Sequence, residues 1–189
     1  MKDIRTRIVD TTEVLIRAGG YNSFSLEEVA TELEIELEEI HKHFKTKGDL
    51  ALAVAIRYTF KFLTALGEPS PSTSTPKEQL GRYCEVFETA FETSGHACLC
   101  GVLSKEVESL PEKVKNAVID FVNANIDWLT QALSGHANLK SQEELKESAQ
   151  WIYCSLQGAM TASALTNDKS WIKSASKSVI SHFFETSAN

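Results

Sequence analysis

Apolar residues recur along this chain at three- and four-residue spacing, and no stretch of strict alternation persists over a useful length. Ile4, Ile8, Thr12, Leu15 and Ile16 share one helical face, and Gly19-Gly20 ends it. Ser25-Leu26-Glu27-Glu28 has the form of a capping box and opens a short helix with Val29, Ala30 and Leu33 inward. A tight turn at Glu34-Ile35 leads into a third helix of about two turns, Glu36 to Phe44, which carries Ile40. Thr46-Lys47-Gly48-Asp49 is a second box-like start, and the apolar helix behind it runs through Leu66. Four helices with a short second and third have the proportions of a helix-turn-helix on a longer connector.

Gly67 to Pro76 is rich in Pro, Ser and Thr and cannot sustain a helix. The chain therefore divides into an N-terminal unit over residues 1–66, a linker over 67–76 and a larger unit over 77–189. Thr75-Pro76-Lys77-Glu78 combines a cap, a first-turn proline and a reaching glutamate. Leu80, Tyr83, Cys84, Phe87 and Phe91 then share a face up to the break at Gly95-His96-Ala97. Cys98 to Leu110 forms a shorter helix. Pro111 begins the next, with Val114, Val118, Phe121, Val122, Asn125, Trp128 and Leu129 on its inner side. Ser141-Gln142-Glu143-Glu144 caps a long helix to Leu165, and a last one runs from Lys169 to Phe184. The fold class is all-α, with nine helices.

Composition narrows the function classes. Apolar residues make up 42% and charged residues 24%, an ordinary globular balance. The chain lacks an uninterrupted apolar run of about 18 residues and an apolar segment behind its first charges, so neither a membrane span nor a secretory signal is expected. Four cysteines without an export signal read as thiols of a cytoplasmic protein. A nucleophile–base set, a phosphate-cradling glycine loop and a carboxylate cluster at useful spacing are all missing, so no enzyme and no cofactor are expected. His96-x-Cys98-x-Cys100 has neither a fourth ligand nor a usual zinc spacing, so no metal is expected. The net charge of −7 disfavours indiscriminate nucleic-acid binding but leaves room for a local DNA-binding patch.

The N-terminal unit resembles the TetR/AcrR family of transcriptional regulators. The match lies in Ile8-Val9-Asp10-Thr11-Thr12 through Leu15-Ile16, Gly20-Tyr21, Phe24-Ser25-Leu26-Glu27-Glu28-Val29-Ala30, Ile40-His41-Lys42-His43-Phe44 and Thr46-Lys47-Gly48-Asp49-Leu50. The resemblance covers residues 4–56 and implies a homodimer with an N-terminal DNA reader and a C-terminal effector pocket. It places DNA-facing positions at Ser25, Glu36, Leu37, Glu38, Glu39, His41, Lys42, His43, Thr46 and Lys47. A helix of this length fits a major groove, and Lys42 and Lys47 are set to meet phosphates, Lys47 near a helix N-terminus. Ser25 and Thr46 serve either as phosphate contacts or as caps. The implied activity is that of a ligand-responsive repressor, released from its operator by a small molecule.

Departures from the family pattern are concentrated in the reader. Residues 26–39 hold seven glutamates and no lysine or arginine. Residues 1–66 carry 9 basic and 11 acidic side chains, a net of −2, where a DNA-binding surface usually runs positive. Glu34 stands where the family normally has glycine, which costs about 1 kcal/mol if the backbone there is left-handed. Glu36, Glu38 and Glu39 fall on base-reading and phosphate-facing positions, where carboxylates mostly repel the DNA backbone. The competing reading is a dimeric ligand-binding or protein-interaction module that kept this fold and lost DNA binding.

In the larger unit, Tyr83, Phe87, Phe91, Leu99, Leu103, Phe121, Asn125, Trp128 and Trp151 are candidates to line an effector site or, alternatively, ordinary core. Asn125 is the sharpest, because a polar group on an apolar stripe needs a partner. Cys98 and Cys100 flank a predicted helix start that favours thiolate, which makes them a candidate thiol sensor, or else small buried hydrophobes. Ser155, Gly158, Ala159 and Ala162, with Val179, Ile180 and Phe183 of the last helix, form a candidate dimer interface built as a four-helix bundle.

Overall fold

The computed structural model describes residues 3–70, 72–136, 138 and 141–184. Among the described residues there are nine α-helices, one 3-10 turn and no strand. In chain order they are α1 (Ile4–Gly19), the 3-10 turn (Tyr21–Ser23), α2 (Leu26–Leu33), α3 (Leu37–His43) and α4 (Lys47–Leu66). Then follow α5 (Pro76–Ser94), α6 (Leu99–Ser104), α7 (Glu112–Ala132), α8 (Gln142–Thr166) and α9 (Ser170–Phe184). None of these helices is long and apolar enough to cross a membrane.

Capping follows the sequence signals closely. Thr75 with Glu78 and Ser141 with Glu144 form reciprocal boxes at the starts of α5 and α8. Thr46 and Asp49 do the same for α4: the Thr46 N–H and hydroxyl donate to Asp49 Oδ2 at 3.0 and 2.7 Å, and the Asp49 N–H donates to Thr46 Oγ1 at 3.1 Å. At α2 the Ser25 hydroxyl accepts from the Glu28 N–H at 3.1 Å, which is the serine half of the expected box. Gly20, at φ 93°, ends α1 in a conformation that favours glycine, its N–H returning to Ile16 O.

Packing groups the helices across the order of the chain. One compact unit contains the chain up to Lys61 together with Leu99–Phe121; the other contains Phe62–Cys98 and the chain from Val122 onward. Two of the three boundaries fall inside α4 and α7, and the third at the start of α6. The stretch from α6 into α7, which the linker-based division gives to the larger half, is thus packed with the DNA-reader helices. The helix expected from Cys98 to Leu110 is also shorter than its apolar pattern implied: α6 stops at Ser104, and turns occupy the segment from Lys105 to Ser109.

In the first unit Ile8, Ile16, Phe24, Val29, Ile40, Leu50 and Val54 are buried together, with Arg57 of α4 paired to Asp10 (2.7 Å) and Glu13 (3.1 Å) of α1. In the second unit α9 packs along α8 and α5, and α5 also meets α8. The described residues of the Pro/Ser/Thr segment form no helix before Pro76, which opens α5. The segment is tied down all the same: the Ser70 N–H donates to Gln79 Oε1 at 2.9 Å, and Gly67 O accepts from Trp128 Nε1 at 2.7 Å.

Candidate nucleic-acid interface

α2 and α3 are joined by a tight reversal built on Glu34. Its backbone is left-handed, at φ 54° and ψ 47°. The Ile35 N–H returns to Ala30 O at 3.0 Å and the Glu34 N–H to Thr31 O at 3.1 Å, the paired bonds of a Schellman motif. α3 is seven residues long, anchored inward by Ile40 and followed by buried Phe44. Glu36, Glu38, His41, Lys42 and His43 are exposed along it, while Leu37 and Glu39 are half-buried. The helix therefore offers an outward face of the size the reader role requires, at a cost of left-handed strain in Glu34 of about 1 kcal/mol.

The two lysines assigned to phosphates are engaged within the protein. Lys42 Nζ lies 2.5 Å from Glu39 Oε2, and His43 Nε2 lies 3.7 Å from the other oxygen of the same carboxylate. The Lys42 hydrogen bond holds the Glu39 carboxyl below the usual range. Lys47 Nζ stands 4.6 Å from the Tyr21 ring centre and 4.7 Å from that of Phe24, a two-sided cation–π contact. Partial burial there lowers the Lys47 ammonium pKa, against the opposing pull of Glu106 and Glu28. Thr46 and Ser25 are helix caps, as described above.

Two cations escaped the sequence reading. The Arg5 guanidinium lies 5.2 Å over the ring of Phe44, at the end of α3, and Lys45 is exposed immediately after it. Their charge was legible, but not their place: Arg5 lies 39 positions before Phe44 in the chain, and packing of α1 against α3 brings them together.

The residues expected around an effector are divided. Leu99, Leu103 and Phe121 belong to the first unit, and the Phe121 ring meets that of Tyr58 at 5.6 Å and a tilt of 50°. Tyr83, Phe87, Asn125 and Trp128 come together in the second, with Phe91 buried on the same helix. The Tyr83 hydroxyl donates to Asn125 Oδ1 at 2.7 Å, and the Tyr83 ring stacks on Trp128 at 5.6 Å. Burial raises the Tyr83 phenol well above its ordinary pKa, which keeps it a neutral donor. Gln79, buried beside this group and hydrogen-bonded to the Ser70 N–H and Ala132 O, was missed in the sequence because a glutamine at that register reads as surface.

Three expectations need correction. Trp151 points outward, 45% exposed, and contacts His182 and Phe183, so it lines no interior. Val179 is buried at 1%: its side chain fills the interior of the second unit and is not offered to a partner. Cys98 and Cys100 are both buried, which denies an oxidant the access that a thiol sensor needs. Cys154 is exposed. Of the remaining interface candidates, Gly158 is exposed, and Ser155, Ala159, Ala162, Ile180 and Phe183 are half-buried. Among the described residues no group of three or more His, Cys, Asp or Glu side chains is placed to hold a metal ion.

Comparison with known proteins places this geometry. The family described as "Bacterial regulatory proteins, tetR family" matches residues 8–54. A TetR transcriptional regulator from Legionella pneumophila is 26% identical, covering 97% of this chain and 98% of its own, with a TM-score of 0.89. A TetR-family regulator from Agrobacterium tumefaciens is also 26% identical, covering 95% and 96%, with a TM-score of 0.85. The regulator FadR from Bacillus subtilis, solved in complex with stearoyl-CoA, shares the fold at 16% identity, covering 95% and 97%, with a TM-score of 0.77. Among proteins of curated function, none matches the chain in sequence.

Proposed function

Because residues 8–54 match the tetR family of bacterial regulatory proteins and the chain shares the fold of TetR-family regulators over nearly its whole length, we propose that it acts in the cytoplasm as a homodimeric, ligand-responsive repressor that binds its operator through α3. The observation that carries the reading is the α2–α3 pair: Ile40 and Phe44 lock α3 from beneath, and the side chains left outside surround it with Arg5, Lys42 and Lys45. Charge sets the strength. Glu36, Glu38 and Glu39 oppose phosphate, so each head binds weakly, and affinity comes from two heads engaged at once on one duplex.

The second unit supports the remaining parts. Trp151, Cys154, Gly158 and Leu165 follow one another at helical spacing on the outer face of α8, and Trp171 of α9 adds a further exposed ring. An apolar stripe of this kind calls for a partner helix, and a second copy supplies one in a two-fold bundle with Ser155, Ala159 and Ala162 permitting close approach. Tyr83 and Asn125 are the polar pair around which an apolar or aromatic effector would be read, as FadR of the same fold holds stearoyl-CoA. Binding there shifts the population of head spacings that fit successive turns of DNA.

Fluorescence anisotropy with a duplex from the region upstream of the coding sequence tests the proposal. At about 50 mM salt the dimer is expected to bind, with affinity falling steeply as salt rises, and with Lys42→Ala and Lys45→Ala each flattening the salt slope by about one phosphate per head. A folded dimer that binds no duplex at low salt supports the second reading, a ligand-binding or protein-interaction module. The Glu39–Lys42 pair, which neutralises a reader cation at home, is the observation favouring that alternative.

A further inference from the structure

The segment between α6 and α7 reaches into the reader. Glu106 lies in the turn after α6, and its carboxylate accepts the backbone N–H of Tyr21, the backbone N–H of Asn22 at 3.3 Å and Asn22 Nδ2 at 2.9 Å. Asn22 Nδ2 also donates to Ser109 Oγ at 3.0 Å. Further along, Pro111 packs on Gly48, and Lys113 pairs with Asp49 in the first turn of α4. Lys47 lies inside this bracket, its ammonium over the rings of Tyr21 and Phe24. Tyr21 is therefore the shared piece: its amide is held by Glu106 and its ring by Lys47.

We propose that Glu106 is a positioning residue for DNA binding: by fixing the 3-10 turn and setting a negative charge beside it, its carboxylate retains Lys47 over the two rings and withholds that cation from DNA phosphate. This rests on the DNA-binding reading above. An ammonium with two aromatic faces and a nearby carboxylate gains less by turning to a phosphate than one standing in water, and partial burial leaves the attraction less screened by salt. A carboxylate that only satisfied the Tyr21 amide would act differently. Neutralising it would loosen the turn and leave DNA affinity unchanged or lower, whereas neutralising a charge that retains Lys47 raises it.

Glu106→Gln is the test. A glutamine keeps the length and one acceptor for Tyr21, rotation of the Asn22 amide gives its NH2 a partner, and only the long 3.3 Å bond from the Asn22 N–H is given up. The expected result is binding about tenfold tighter to a random-sequence duplex near 50 mM salt, with a slope steeper by about one phosphate per head, and loss of both gains in a Lys47→Gln background. Unchanged or weaker binding with an unaltered thermal melt overturns the proposal, as does a gain that survives Lys47→Gln. A DNA-free readout separates its failure from that of the underlying reading. In 13C-dimethylated protein the Lys47 methyls are ring-current shifted by Tyr21 and Phe24, and Glu106→Gln should move them toward the solvent value. If they stay put, the proposal falls whatever the DNA result. Should Glu106→Gln fail to fold, exposed Glu28 supplies the second variant. Glu28→Gln is expected to move both readouts the same way by a smaller amount, and no movement in either overturns the proposal.

Discussion

Tyr83 and Asn125, 42 residues apart and both fully buried, share a 2.7 Å hydrogen bond in the core of the second unit. Tyr83→Phe removes the donor and leaves buried amide oxygen without it, at an expected cost of about 1–3 kcal/mol. Adding Asn125→Leu should recover part of that loss, because the buried amide oxygen that lost the Tyr83 donor goes with it. Urea unfolding of the two variants measures both numbers. An effector that is read by this pair would also bind more weakly to each single variant in calorimetry.

Glu34 is held left-handed by the bonds that return from it and from Ile35 to α2. Glu34→Gly relieves steric strain of about 1–2 kcal/mol and gives back about 0.4–1 kcal/mol in the freer unfolded chain, so a net gain of about 0.5 kcal/mol is expected. Glu34→Gln keeps the strain and removes only the charge. Its stability should stay near that of the parent, which denaturant titration of the pair will show.

Asp49 has its carboxyl held below the usual range, first by the hydrogen bond from Lys113 and then by Thr46. A depressed folded-state pKa contributes stability that is complete above the unfolded value, near 4, and is lost as pH falls through the folded one. Asp49→Asn should therefore lower the melting temperature at pH 7 and leave a difference from the parent that shrinks as pH falls below the unfolded value. Melting curves across that range check the sign. A difference that grows on acidification would contradict the assignment.

The four cysteines differ in access. Cys84, Cys98 and Cys100 are buried, burial pushing the Cys84 thiol up to about 12, and Cys154 is exposed on the α8 stripe. Iodoacetamide mapping of the folded single chain should label Cys154 alone and the other three only after unfolding. If the stripe is the dimer face, dimerisation protects Cys154, and Leu165→Arg restores both its labelling and a monomeric elution volume. Leu165, at 86% exposure, is the most exposed large apolar side chain described.

Local signals account for much that was legible in advance. Thr75, Ser141 and Thr46 cap their helices because a cap is decided within four residues, and Ile8, Thr12 and Ile16 are buried because their spacing follows the helical period. The same locality misled at Val179 and Trp151. Periodicity says that a residue belongs to a face but not which neighbour covers that face, so an inward valine read as interface and an outward tryptophan as lining.

By itself, then, the chain's order of residues determined the nine helices, their caps, the α2–α3 pair and the unusual acidity of the reader, since each is written within a few turns of backbone. Only the tertiary structure decided that Leu99–Phe121 packs with the reader, that Arg5 joins Phe44 and that Glu106 meets Tyr21 and Asn22. Those pairings span 39 to 85 positions of chain. At such separations propensity carries no information about partners; burial of apolar faces decides which helices meet, and the polar contacts form among whatever side chains the packing brings together.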